Sequence, residues 1–296
     1  MRIGLALAGG GASGGAHVGV IQALQEAGIA VDVVGGTSSG AVVAGLLAAG
    51  LSTGDMIALL PSITRRQVDI DRMLPVRLLR RQPLQGFLRG DRLQSLLRRM
   101  VGDIPLGAAR IPLAVVATDL QSGQEVVFAS QPCPPPAVRS IDGENATPLW
   151  RVVTDVPLAV AIRASIGIPL VFWPVYRDDM ILVDGGLVDN CPVAPVRALG
   201  ADIVIAVDTI TPFVRRRTPS PMRARSAFFQ MVNISLARHA ALAALQADLL
   251  LTPPVGPIGA LDFSRLASVA EQGYEYTRER LPRVLSALEQ RGRGEP

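Results

Sequence analysis

The chain has 296 residues, 49% hydrophobic and 18% charged, a composition that excludes a disordered chain and supplies ample material for a core. Its 29 basic residues, all arginine, stand against 25 acidic ones, and a net charge of +4 is too small to argue for a nucleic-acid partner. Two cysteines, Cys133 and Cys191, are too few for a disulfide framework and wrongly spaced for zinc, so a reducing, cytoplasmic setting without metal or other cofactor is expected.

In chain order, short β-rich runs alternate with helical patterns. The strands are expected at Arg2 to Ala8, Ala30 to Gly35, Ile111 to Thr118, Gln124 to Ala129, Met180 to Asp184 and Asp202 to Asp208. The opening run is too short for the apolar core of a signal peptide and reads as the first strand. Helical spacing marks His17 to Ala27, Ser39 to Ala49, Ser52 to Leu60, Asp91 to Met100, Val156 to Ala164, Val193 to Leu199, a long stretch from Pro221 to Leu251, and Leu266 to Arg291 with a fraying polar tail. The longest clean apolar stretch, Ala41 to Leu51, is far short of the roughly 20 residues that span a bilayer. The alternation predicts a mainly parallel sheet covered by helices on both faces in three α/β/α layers, and the length allows one large α/β domain or two small ones.

Two segments stand outside this pattern. Residues 65–99 carry ten arginines among leucines, as either a solvated helical face paired to acids elsewhere or an interfacial or lid segment lying peripherally on a membrane. Ser130 to Pro148, rich in proline, reads as an irregular surface loop.

The chemistry gathers at three motifs. Gly9-Gly10-Gly11-Ala12-Ser13-Gly14 turns the first strand into the helix after it. Alone it matches a dinucleotide fingerprint, with Asp32 about 20 residues on, but Asp32 falls near the start of its strand rather than at the end that would reach a ribose. The other reading is a loop whose backbone N–H groups converge on developing negative charge. Gly36-Thr37-Ser38-Ser39-Gly40 follows a strand and opens a helix, the setting of a nucleophile elbow, in which the flanking glycines remove side chains that would collide with nearby backbone.

Ser38 needs a base, and the chain has two histidines. His239 fits the triad order of serine, acid and histidine but sits mid-helix among alanines and leucines; His17 follows the glycine loop and reads as structural. The better base is Asp184, delivered by an apolar strand and followed by Gly185-Gly186, which permit close approach. A turn or cap role for Asp184, and an ordinary helix-cap role for Ser38, are the competing readings. Asp119, Asp189 and Asp208 remain candidate supporting groups.

Gly9 to Gly14, Gly36 to Gly40 and Asp184-Gly185-Gly186, in this order, resemble the patatin-like phospholipases, as do Ala117 to Leu120, Ala164 to Pro169 with Phe172 to Val175, and Leu187 to Val193. The resemblance runs from residue 2 to about 210 and implies a single domain over 1–296; the C-terminal helices of 221–291 are less diagnostic. It implies a Ser38–Asp184 dyad working without histidine, an oxyanion hole from the backbone of Gly10, Gly11 and Ala12, and a lipid acyl ester as substrate, a phospholipid or lysophospholipid. The family usually carries arginine or lysine where this chain has Ser13, which puts loop anchoring or rate in question. An acyltransferase or general carboxylesterase on the same fold, a silent lipid-binding protein and a nucleotide-binding protein are the alternatives. Head group, acyl position and oligomeric state are not encoded in any motif.

Overall fold

Ile3–Leu7 (β1), Val33–Thr37 (β2) and Leu113–Asp119 (β3) are buried at every residue. Strands buried throughout belong inside a sheet covered on both faces, and in the computed structural model, which describes residues 1–64, 86–136, 148–210 and 223–292, these three pair in parallel with β2 in the middle of the β1-β2-β3 order. Ile203–Val207 (β8) extends the sheet beyond β1, and Leu249–Leu251 (β9) beyond β8, both in parallel. On the other side Glu125–Ala129 (β4) runs antiparallel to β3, and Trp150–Val153 (β5) parallel to β4.

Alternation along the strands sends Leu5, Leu7, Val34 and Val115 to one face and Ala6, Ala8, Val33 and Val116 to the other. The first face packs against Ala16–Glu26 (α1), Ser39–Ala49 (α2), Thr53–Leu59 (α3), Asp91–Val101 (α4), Leu158–Ser165 (α5) and Leu266–Gly292 (α8). The second packs against Val193–Ala198 (α6) and Ala224–Gln246 (α7). The expected three-layer α/β/α architecture with a mostly parallel sheet is the one observed.

One departure from parallel order builds the site. β3 outruns β2: Val34–Thr37 pair with Leu113–Val116, and the next residues of β3, Ala117–Asp119, pair antiparallel with Asp184–Leu182 of Met180–Asp184 (β7). Since β4 holds the opposite edge of β3 along Ala114–Thr118, β2 and β7 share one edge and meet head to head. Val175–Arg177 (β6) closes a hairpin with β7.

Three short strands, β5, β6 and β9, were not expected, and the helix expected from Pro221 to Leu251 is cut short. It ends at Gln246, where Ala247 turns to extended geometry and Asp248 accepts the Val204 N–H at 2.9 Å, which steers Leu249–Leu251 into the sheet. Of the arginine-rich segment, 65–85 lies outside the described residues; in α4 Leu96, Leu97 and Val101 face the core, while Arg98 and Arg99 are exposed. Residues 130–136 are irregular, as expected, and 137–147 lie outside the described residues, as do 211–222 and the polar tail at 293–296. No helix among the described residues is long and apolar enough to cross a membrane.

Candidate active site

The head-to-head meeting of β2 and β7 sets the central distance. Thr37 pairs with Val116 and Asp184 with Ala117, so the residue leaving β2 faces the last residue of β7 across adjacent positions of β3. Ser38 Oγ donates to Asp184 Oδ2 at 2.7 Å, with both residues buried. A one-residue slip of β7 on β3 displaces the carboxylate by about 3.3 Å and turns it to the other face.

Ser38 stands at φ 53° and ψ −120°, a left-handed conformation that a side chain seldom adopts and that surrounding contacts must hold. Its N–H donates to the buried Ser165 Oγ at 2.8 Å, and the Thr37 hydroxyl beside it donates to the Asp189 carbonyl at 2.9 Å. The flanking glycines are required by space: a Cβ on Gly36 would strike the Gly40 carbonyl, and one on Gly40 the Leu7 carbonyl. Helix α2 starts at Ser39, so its positive end faces Ser38.

Asp184 is fixed as firmly. Its N–H donates to the Gly167 carbonyl at 3.0 Å, its carbonyl accepts from Thr118 Oγ1 at 2.9 Å, and Oδ1 accepts from the Gly186 N–H at 2.9 Å. Gly185 packs directly on Val116. Burial pushes the carboxyl up to about 6, against the lowering effect of the Ser38 hydroxyl and the Gly186 N–H. The result is a carboxylate basic enough to take a proton yet still ionised at neutral pH.

The glycine loop runs beside Ser38 as a 3-10 turn, Gly11–Gly15. Gly10 N–H donates to Ser39 Oγ at 3.0 Å and Ala12 N–H to the Ala260 carbonyl at 3.0 Å. Of the three expected oxyanion donors, then, two hold protein acceptors here and Gly11 N–H has none among the described residues. Gly14 packs against Ser39. Ser13, where the family usually has a cation, is buried and donates to the Gly10 carbonyl at 2.8 Å, so the loop is tied down without charge. Gly9 is held by Asn190, which accepts its N–H at 3.0 Å and donates Nδ2 to its carbonyl at 3.3 Å.

Two cavities open on Ser38. A nearly wholly apolar pocket of about 140 Å³ runs among Val42, Leu46, Met56, Leu96, Leu97 and Phe172. A cavity of about 750 Å³ is lined by Asp184, Asn190, Thr209, Asn233 and Leu236 as well as Ser38. Ala260 and Leu261 belong to the walls of both. Neither the two compartments nor the contribution of 257–261 is visible in any motif, and Ser165 and Asn190 appear in the sequence only inside family-like stretches.

The other candidates fall elsewhere. His239 Nδ1 lies 3.2 Å from the Gly186 carbonyl and its ring lines a different cavity, so the structure does not bring it to Ser38 or Asp184. His17 is wholly buried with Nε2 on the Ala8 carbonyl at 2.8 Å, and burial holds it down at about 4, neutral at physiological pH. Asp32 exchanges hydrogen bonds with Ile3 at the amino end of β1, opposite the glycine loop, which removes the nucleotide reading. Asp119 braces the entry to β7 by accepting the Ile181 N–H at 3.0 Å, and Asp208 accepts the Ile210 N–H at 2.9 Å. No group of three histidine, cysteine or acidic side chains among the described residues is placed to hold a metal ion.

The family model for patatin-like phospholipases matches residues 5–197, the stretch that contains the glycine loop, the elbow, β7 and all but the last residue of α6. The chain belongs to the patatin-like phospholipase family. An uncharacterized NTE family protein of Mycobacterium tuberculosis is 37% identical over 206 residues, covering 70% of this chain and 48% of that protein. A lysophospholipase nte1 of Emericella nidulans is 27% identical over 312 residues, covering 96% of this chain and 18% of that protein. The chain therefore spans at most about half the length of these relatives. In structure, VipD from Legionella pneumophila superposes with a TM-score of 0.57 at 16% identity over 95% of this chain and 66% of its own, a likeness of fold.

Proposed function

We propose that this patatin-like protein is a serine lipid acyl hydrolase working through a Ser38–Asp184 dyad. The observation that carries the reading is the 2.7 Å hydrogen bond from a strained, buried serine to a carboxylate made more basic by burial, at the mouth of an apolar pocket. Asp184 takes the Ser38 proton, and the serine oxygen attacks the ester carbonyl. The tetrahedral oxyanion is held by amides of Gly10, Gly11 and Ala12, with the α2 dipole behind them. Gly11 N–H is ready as it stands; Gly10 and Ala12 exchange Ser39 Oγ and the Ala260 carbonyl for the oxyanion. The alcohol departs with the proton from Asp184, and water then frees the acid from the acyl-enzyme.

The apolar pocket suits an acyl chain and the larger, more polar cavity the rest of the ester, which favours phospholipids or lysophospholipids over short soluble esters. Transfer of the acyl group to an alcohol is the second reading, since the larger cavity has room for one.

The test is hydrolysis of p-nitrophenyl butyrate and lysophosphatidylcholine, with fluorophosphonate labelling, by wild type, Ser38→Ala and His239→Ala. Wild type and His239→Ala are expected to label and turn over, and Ser38→Ala to do neither. Loss of activity in His239→Ala with a folded chain restores a histidine triad and overturns the dyad.

A further inference from the structure

Helix α7 is apolar on both of its long faces, and only one of them is covered. Leu236, Ala240 and Ala243 turn inward: Leu236 packs on Gly186, and the two alanines are buried. On the opposite face Met231, Ile234, Leu242 and Leu245 are 61%, 49%, 51% and 84% exposed. With Arg238 they follow one another at spacings of three, four, four and three, so they form a single row along the helix. Singly exposed apolar side chains are ordinary on a protein surface. A row of four large ones on one helix is not, and it marks a face that something else covers.

The charges select the cover. From Thr209 to Ala247 the sequence has six arginines and no acidic residue. Arg238 stands at the midpoint of the row, is exposed, and has no ion pair among the described residues. A second copy of the chain packed row on row about a two-fold axis would set Arg238 against its own counterpart, with no acid on the helix to relieve the repulsion. A surface of anionic lipid offers phosphate to the arginine and hydrocarbon to the apolar side chains on either side of it. The helix is also in the right place. Val232, Asn233 and Leu236 wall the cavity of about 750 Å³ that contains Ser38 and Asp184. Asn233, next to Ile234 of the row, is itself exposed, so the cavity opens along the flank of the same helix. A bilayer seated on the row lies one helix diameter, about 10 Å, from that cavity.

Resting on the lipid hydrolase reading above, we propose that the outer row of α7 is the surface by which the protein docks on anionic lipid bilayers. The helix lies in the interface rather than across it: Arg225 and Arg238 break its apolar run, and no helix among the described residues is long and apolar enough to span. Met231, Ile234, Leu242 and Leu245 enter the acyl region below the head groups, and Arg238 pairs with lipid phosphate. The wall of the ester cavity is thereby brought to the membrane that holds the substrate. Docking and chemistry are separable: the row raises the supply of bilayer lipid to Ser38 and does nothing for an ester already dissolved in water.

The test is sedimentation with vesicles of phosphatidylcholine, with and without phosphatidylglycerol, using Ser38→Ala as the parent so that no lipid is consumed. This parent is expected to sediment with the mixed vesicles and to be released by salt. Adding Met231→Ser with Leu245→Ser is expected to weaken binding by roughly tenfold or more, and adding Arg238→Gln by about fivefold for the mixed vesicles alone. In chains that retain Ser38, phospholipid hydrolysis in mixed vesicles is expected to fall with binding, while p-nitrophenyl butyrate turnover and fluorophosphonate labelling stay within about twofold of wild type. Ile234→Ser with Leu242→Ser repeats the comparison should melting curves show the first pair unfolded. A parent that does not sediment, or row variants that bind as the parent does, overturns the proposal. So does a wild type that elutes as a dimer and a row variant that elutes as a monomer, which assigns the row to a contact between copies. A wild type that binds vesicles yet neither labels nor turns over overturns the dyad alone, which separates the two failures.

Discussion

The segment joining β7 to α6 carries two aspartates, Asp184 at its start and Asp189 near its end, and burial pushes both carboxyls upward. Their surroundings differ. Asp184 accepts the Ser38 hydroxyl and opens on the cavity of about 750 Å³. Asp189 accepts the Cys191 N–H at 3.0 Å and faces Glu125, whose carboxyl is driven well up by burial and then by the charge of Asp189, in a separate cavity of about 550 Å³ with Trp150 and His239. A raised carboxyl therefore reports burial. Reactivity needs a hydroxyl to deprotonate and room for a carbonyl beside it, and only Asp184 has both.

The comparison breaks most sharply under conservative substitution. Asp184→Asn keeps the shape and loses the base, so turnover of p-nitrophenyl butyrate is expected to drop about 10⁴-fold. Asp189→Asn retains the acceptor for Cys191 N–H and is expected to stay within about threefold of wild type. A comparable loss in Asp189→Asn would place the chemistry at the wrong end of the segment.

A pH profile sharpens the contrast. In the dyad reading Asp184 serves as the base only when ionised, and burial pushes its carboxyl up to about 6, so activity is expected to rise through that value and level off above it. The gain between pH 5 and 7 is roughly tenfold. Asp189→Asn should leave the midpoint in place; a midpoint that vanishes in this variant assigns the titration to Asp189.

The smallest effect is on stability. A buried carboxyl whose pKa is raised on folding binds its proton more tightly in the folded state, so it costs nothing below its unfolded pKa and its full penalty appears only as pH rises past the folded value. Asp189→Asn removes that penalty. Its melting temperature is expected to exceed that of wild type by roughly 2–4 °C at pH 8, and the gain should vanish near pH 4. A gain that grows toward acid reverses the sign and refutes the burial argument.

The elbow was legible because its causes are local: an apolar strand, glycines on either side of Ser38 and a helix after it lie within one stretch of chain. Asp184 was legible for the same reason, from the run Met180 to Asp184 and the glycines behind it. Less could be read where the cause is distant. That β7 runs antiparallel and meets β2 end on depends on the register of both against β3, and no periodicity records it. Ser165 meets Ser38 across 127 residues and Asn190 meets Gly9 across 181, so each looks in sequence like any buried polar residue. The strands β5, β6 and β9 are too short for alternation to show, and the helix expected to reach Leu251 was stopped by a tertiary hydrogen bond from Val204 to Asp248 rather than by a breaker in the chain.

The head-to-head seating of β2 and β7 on β3 also joins two parts of the chain that are made far apart in time. Ser38 precedes Asp184 by 146 residues, so synthesis delivers the serine long before the carboxylate to which it donates. On the dyad reading, a chain that stops short of β7 holds a nucleophile without its base and is expected to hydrolyse no ester.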